Sequence, residues 1–191
     1  MSLPPKILKS YPPDVTVTVG SGDAEQQFKC YKVILCHASD YFDVMFSTDF
    51  MENSTSHVTF PDKDPDGWTL FWNYILPGSR DDIDLSNVEH LLPWFHHFDM
   101  VNELKKCDMI LTKRIIEVAS EETTWENSTF LRTELPRLFQ LARLYRMEEA
   151  EETAQATMRL LNGFFYGEEK VEVVPWKNAS LTLSVNVLVV N

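Results

Sequence analysis

The chain has 191 residues, of which 44% are hydrophobic and 24% are charged, and only six are glycine. This composition is that of a globular protein, and it excludes collagen-like, low-complexity and largely disordered chains. The formal net charge is −12 at pH 7. That charge argues against nucleic acid and against an anionic membrane surface as the main partner, because both require a concentrated basic face.

The cysteine pattern and the N-terminus indicate an intracellular protein. The three cysteines, Cys30, Cys36 and Cys107, form no paired framework, which is typical of reduced thiols. The chain begins without the apolar core of a signal peptide, and it contains no apolar run of roughly 18 residues that could span a membrane. We therefore expect the protein in the cytoplasm or the nucleus.

The first third of the chain predicts a hairpin followed by helices. Residues 1–13 contain four prolines and are expected to form an extended leader. Alternating apolar residues at 15–19 predict a strand, and a glycine-containing turn leads to a returning strand at 26–30. Helical spacing of the apolar residues at 34–46 predicts two short helices that are broken near Ser39.

The middle of the chain predicts one more strand and a series of helices. Residues 58–60 are expected to form a short strand, and the aromatic-rich segment 66–75 a helix. Ser86 and Glu89 fit a capping box, which predicts Ser86 as the N-cap of the next helix. Two helix pairs follow, separated by a polar linker at 119–129. They align at an offset of 47 residues, with these matches: Leu91 with Leu138, Phe98 with Tyr145, Met100 with Met147 and Cys107 with Ala154.

The C-terminal residues change in character. Apolar and mostly polar residues alternate from Leu181 to Val189, which predicts a strand. A lone strand cannot bury its apolar face. We therefore expect this strand to pair with another element, to pair with another chain, or to belong to a further domain.

Several spaced motifs occur in the first two thirds of the chain. The main motifs are Phe28-x-x-Tyr31-Lys32-x-x-Leu35, Ser39-x-Tyr41-Phe42-x-x-Met45-Phe46, and Met51-Glu52-x-Ser54 leading into Val58-x-Phe60-x-Asp62. In this order they resemble the signature of BTB/POZ domains over about residues 13–112, and residues 130–163 are similar to the helices of a BACK-like extension. Two positions depart from the family pattern, since Tyr31 replaces the usual His and residues 75–78 replace a Tyr-Thr-Gly-like turn.

The resemblance implies an α/β (α+β) fold in which a small mixed sheet is flanked by helical hairpins. It divides the chain into an extended leader at 1–13, a BTB/POZ domain at 14–112, a BACK-like helical extension at 113–165 and a C-terminal β segment at 166–191. These boundaries are expectations that follow from the family likeness and from the change of pattern along the chain.

BTB domains are protein-interaction modules, so the resemblance implies a homodimer or a higher oligomer. It further implies a substrate adaptor that binds cullin-3 in a RING ubiquitin ligase, or alternatively an oligomerisation scaffold in a transcriptional or cytoskeletal assembly. Phe50, Met51 and Glu52 match the hydrophobic-x-Glu motif that the family associates with cullin binding. The alternative is that the apolar residues pack into the core and that Glu52 is a solvated charge.

The resemblance also suggests residues for an oligomer interface. Asp14 and Lys32 align with a charged pair near the dimer interface of many BTB domains. The alternative is two surface charges of little energetic weight. The leader residues Ile7, Leu8 and Tyr11 would cross to a partner subunit, or would belong to a disordered tail.

The sequence favours neither a metal site nor a catalytic site. His90, His96, His97 and Cys107 lack the spacing of a structural zinc site, and Cys30 and Cys36 are expected to be core residues. No nucleophile elbow, phosphate-binding loop or zinc-protease motif is present. We expect no metal, cofactor or small-molecule substrate, and no enzymatic activity. A channel-type tetramerisation domain is disfavoured because no membrane span follows.

Overall fold

A small three-stranded sheet begins the fold. The computed structural model describes residues 11–47, 50–79, 81–121 and 129–165, so the expected C-terminal β segment lies outside the described residues. β1 (Val15–Val19) lies between β2 (Gln26–Cys30), which is antiparallel to it, and β3 (His57–Phe60), which is parallel to it. Valines on β1 are buried, and β3 contributes Val58 and Phe60 to the same core. The predicted hairpin and third strand are confirmed.

Helices cover the sheet and extend the molecule. The break predicted near Ser39 is confirmed, because the first helix ends at residue 38 and the second begins at residue 40. The described helices are α1 (Lys32–Ala38), α2 (Asp40–Ser47), α3 (Met51–Thr55), α4 (Pro65–Ile75), α5 (Val88–His97), α6 (Val101–Glu121), α7 (Thr129–Leu144) and α8 (Glu148–Phe165). The mixed α/β architecture is therefore the expected one.

Aromatic side chains form the centre of the core between the sheet, α4 and α5. Trp68 and Trp94 meet with ring centroids 5.0 Å apart, and Phe42 and Phe98 with centroids 4.5 Å apart. Burying each such ring contributes roughly 1.5–3 kcal/mol. Gly67 permits the close approach of α4 to α5, since a Cβ there would lie 2.8 Å from Trp94 Nε1.

The start of α5 differs from the prediction. The capping box was wrong, because the N-cap is Asn87, and no side chain bonds to the helix N-terminus at this position. The Ser86 hydroxyl instead donates to Asp84 Oδ1 at 2.6 Å, while the Asn87 side chain bonds upstream to residues 82 and 84. The Asp84 carboxylate therefore competes with the helix end for Ser86, and the pKa of Asp84 is lowered by these hydrogen bonds.

The helices α7 and α8 pack on α6 and share its core. Small buried side chains at Ala142, Ala150 and Ala154 belong to the same apolar cluster as Leu111 and Ile115 of α6. The predicted domain boundary at residue 112 lies within α6, which continues to Glu121. The described part of the extension is thus built directly onto the last helix of the preceding domain.

Two polar contacts tie the extension to the rest of the molecule. Asp108 on α6 accepts hydrogen bonds from the backbone N–H groups of Glu149 at 3.2 Å and Ala150 at 2.8 Å, so it caps α8 from another helix. Arg137 on α7 pairs with Glu89 on α5, and the hydrogen bond to this carboxylate raises the pKa of the Arg137 guanidinium. Both contacts join residues that are far apart in the chain.

The repeat seen in the sequence corresponds to a repeated corner. Asp99 follows α5 with a φ of 51°, and Arg146 follows α7 with a φ of 55°. The N–H of Met100 donates to the carbonyl of Phe95 at 2.9 Å, and the N–H of Met147 donates to the carbonyl of Ala142 at 2.8 Å. These are the bonds of a Schellman motif at two positions 47 residues apart, so the two helix pairs turn in the same way.

Candidate functional site

A groove of about 810 Å³ lies between the α1–α3 segment and the corner that joins α5 to α6. One wall comes from residues 37–41, 44 and 45 together with Phe50 and Glu52, and the other comes from residues 97–103. Because these walls include helix ends and the turns between helices, the groove depends on how the end of α5 and the start of α2 are held together.

The buried hydroxyl of Ser39 joins the two walls. It donates to the carbonyl of Phe98 at 2.8 Å and accepts from the N–H of Tyr41 at 3.1 Å. The first bond satisfies the end of α5, and the second caps the start of α2. Ser39 is only 9% exposed, so this pair of bonds is shielded from water. The break in the helical spacing revealed this serine in the sequence, although the partner at Phe98 could not be inferred.

Aromatic groups form the base of the groove. The Tyr41 ring packs against those of His97 at 5.4 Å and Phe98 at 5.2 Å, measured between centroids. Burial and the neighbouring Glu52 carboxylate raise the pKa of Tyr41. Burial, followed by the charges of Lys63 and His96, lowers the pKa of His97. Both side chains are therefore uncharged near neutral pH, which suits an apolar ligand surface.

The three residues of the hydrophobic-x-Glu motif do not all line the groove. Phe50 is 52% exposed and lines the groove together with Glu52. Met51 is 77% exposed and does not line it. Neither apolar residue is a core residue, so burial does not account for them. The partner-binding role of Phe50, Met51 and Glu52 stays a prediction.

The groove also contains residues that sequence reasoning missed. Tyr41 lies in the segment 34–46, whose apolar spacing predicts helices with a buried face, yet it is 38% exposed in the groove, and Val44 on the same helix is 54% exposed. The opposite wall carries Asp99 and Glu103, which no motif singled out. A helix break after Phe98 was the available signal, but it does not indicate which surface the corner faces.

The residues predicted for an oligomer interface make contacts within the chain. Asp14 Oδ1 accepts a hydrogen bond from the backbone N–H of Lys32 at 2.8 Å, so this carboxylate caps α1. The Lys32 ammonium lies 5.1 Å from the ring centroid of Phe46. Tyr11 is 66% exposed, and its carbonyl accepts from the Tyr31 hydroxyl at 3.2 Å. Ile7 and Leu8 lie outside the described residues, and the interface itself stays a prediction.

The cysteines and histidines form no metal cluster in the part of the chain that the structure describes. Burial raises the pKa of Cys30 and of Cys107 to about 12, so both remain protonated thiols. Cys36 is only partly buried, which differs from its predicted core position. Among the described helices, none combines the length and the hydropathy that a membrane span requires.

Comparison with known proteins places this arrangement in a family. A model of the BTB/POZ domain matches residues 8–115, which is more than half of the chain. The chain belongs to the BTB/POZ family. This BTB/POZ chain is 27% identical to Kelch-like protein 40 of Xenopus laevis over 90 residues. The match covers 47% of the chain but spans only 14% of that relative. The BTB/POZ domain is a protein-interaction module.

Proposed function

We propose that this BTB/POZ protein self-associates and is a substrate adaptor of a cullin-3-type RING ubiquitin ligase. The observation that carries the proposal is the groove, whose lining includes both the exposed Phe50, the N-cap of α3, and the Glu52 carboxylate in the first turn of that helix. An exposed aromatic ring supplies apolar area, and a nearby carboxylate orients the donors of a partner. The likeness to a Kelch-like protein supports the same class of role.

The test is calorimetric titration of the chain with the N-terminal region of cullin-3, after light scattering has established the oligomeric state. We expect one cullin region to bind per protomer. Phe50→Ala should weaken binding at least about tenfold, equivalent to roughly 1.4 kcal/mol, and Glu52→Gln should weaken it less. Met109→Ala is the matched control, since Met109 is exposed on α6 and does not line the groove.

Met51→Ala separates the sequence motif from the groove. If the groove alone binds, this variant behaves like Met109→Ala; if the whole motif binds, it weakens the complex. An absence of binding heat from a folded oligomer at two temperatures would contradict the adaptor role.

The proposed self-association, which is common to the adaptor and to the alternative of an oligomerisation scaffold without a cullin partner, is supported by exposed apolar residues outside the groove. Val33 on α1 is 71% exposed and Tyr11 is 66% exposed. A Val33→Asp variant should then dissociate the oligomer in light scattering, whereas reversing the charges of Asp14 and Lys32 tests the predicted charged pair. An oligomeric mass unchanged by both variants would count against this interface.

A further inference from the structure

The groove combines an apolar base with an acidic rim. Carboxylates lie on both walls, with Asp40 and Glu52 on one side and Asp99 and Glu103 on the other. Among the described residues of the lining, none is Lys or Arg. Burial lowers the pKa of His97 in the lining, so this side chain adds no positive charge near neutral pH. Both walls therefore carry carboxylates, and the exposed Phe50 and Val44 side chains lie in the same lining.

The shape of the lining indicates which backbone conformation the groove accepts. The described lining residues come from helices and from the turns between them, and none belongs to a strand. An extended peptide would find no strand edge to satisfy its backbone N–H and C=O groups. A helix satisfies these groups internally, and it can present one apolar stripe with charged residues on either side.

From this combination we infer that the groove selects a helical segment whose apolar stripe is flanked on both sides by Lys or Arg. The inference rests on the proposed function only in placing the partner in this groove. The basic flanks would meet the carboxylates of the two walls while the stripe covers Phe50 and Val44. Exposed charge pairs of this kind speed association and reject partners of the wrong sign, and they weaken as salt is added.

The test uses pairs of helical peptides of about 15 residues, a length at which isolated helices begin to form. Several apolar stripes are tried, and the two members of each pair differ only in carrying Lys or Glu on both flanks. Fluorescence polarisation at about 0.1 M salt should show the Lys member binding about tenfold more tightly, and about 1 M salt should remove most of the difference.

A charge-neutralised variant tests whether the rim itself is responsible. It carries Asp40→Asn, Glu52→Gln, Asp99→Asn and Glu103→Gln. The matched control removes the same number of charges from exposed carboxylates outside the groove: Asp23→Asn, Glu25→Gln, Glu148→Gln and Glu152→Gln. The rim variant should lose the preference for Lys flanks, and the control should keep it.

Three results would overturn the inference: no peptide of any pair binds, the Glu member binds as well as the Lys member, or the two variants lose the preference equally. The outcome is separable from that of the proposed function. Lys-flanked peptides that bind a chain to which cullin-3 does not bind would leave the inference standing and remove the adaptor role. Binding of cullin-3 without any preference between Lys and Glu flanks would support the adaptor role and remove the inference.

Discussion

The helix pairs α5–α6 and α7–α8 turn through the same corner, yet they pack by different means. At the first corner, the Phe98 ring is buried among aromatic side chains from α2, α4 and α5, and Ser39 bonds to its carbonyl. At the second corner, Tyr145 occupies the matching position but is only partly buried, and its ring meets His96. The backbone motif is therefore independent of the side chains that hold it in place.

The two corners also differ in what lies next to them. The turn after α5 faces the groove, and Asp99 and Glu103 belong to its lining. The start of α8 is instead occupied by Asp108, which binds the backbone N–H groups of Glu149 and Ala150. The corner of the α5–α6 pair lines the groove, whereas the corner of the α7–α8 pair attaches α8 to α6.

The largest expected contrast is between Phe98→Ala and Tyr145→Ala. Phe98 is 2% exposed and lies 4.5 Å from Phe42 between ring centroids, so its truncation should cost about 3–5 kcal/mol of unfolding free energy. Tyr145 is half-buried, and its truncation should cost roughly 1 kcal/mol. Urea denaturation followed by tryptophan fluorescence measures both values.

Phe98→Leu is the control for this contrast, because it retains apolar volume and should cost less than Phe98→Ala. Equal losses for the two alanine variants would show that the corners are packed equally.

A smaller contrast concerns the two side chains that cap a neighbouring element. Ser39→Ala leaves a buried carbonyl and a helix N–H without their partner, so we expect a loss of about 2 kcal/mol. Asp108→Ala releases N–H groups nearer to solvent and should cost about 1 kcal/mol. Thermal unfolding at fixed pH checks the order. Asp108→Asn, which retains an acceptor oxygen, should recover part of the loss, and a larger loss for Asp108→Ala than for Ser39→Ala would reverse the interpretation.

Local patterns in the sequence were sufficient for most described elements of the fold, although they predicted no helix at 51–55, where α3 lies. Alternation at 15–19 and helical spacing at 34–46 predicted the hairpin and the paired helices, since each depends on neighbours in the chain. The capping box failed because Ser86 had a competing acceptor two residues away, at Asp84. A short motif does not reveal whether a serine side chain bonds to the helix N-terminus or to a nearby carboxylate.

The groove was only half predictable, for a different reason. Phe50 and Glu52 were found because they fall in a family motif, whereas the opposite wall is brought near them by the tertiary bond from Ser39 to Phe98. The cap from Asp108 to α8 is likewise formed by residues about 40 positions apart. Contacts at such separations leave no periodic signal, so the residues they unite must be read from the structure.

The smallest expected effects come from placing glycine at the two corners. Both Asp99 and Arg146 adopt a left-handed backbone, which costs a side chain such as that of Arg about 1–2 kcal/mol. Glycine removes this cost but loses more entropy on folding, so Arg146→Gly should raise the unfolding free energy by roughly 0.5–1 kcal/mol. Asp tolerates this conformation better, so Asp99→Gly should change stability by about zero. Chemical denaturation of the two single variants and of the double variant measures the change in unfolding free energy that each substitution causes.

The comparison between the two glycine variants also bears on the groove. If Asp99→Gly leaves stability unchanged but lowers the affinity for Lys-flanked peptides, the corner does not need this carboxylate and the groove does. If it instead destabilises the chain by more than Arg146→Gly stabilises it, Asp99 supports the corner, and its position on the rim is a consequence of the fold. The pair of substitutions thus separates a residue that shapes the turn from one that the turn presents to a partner.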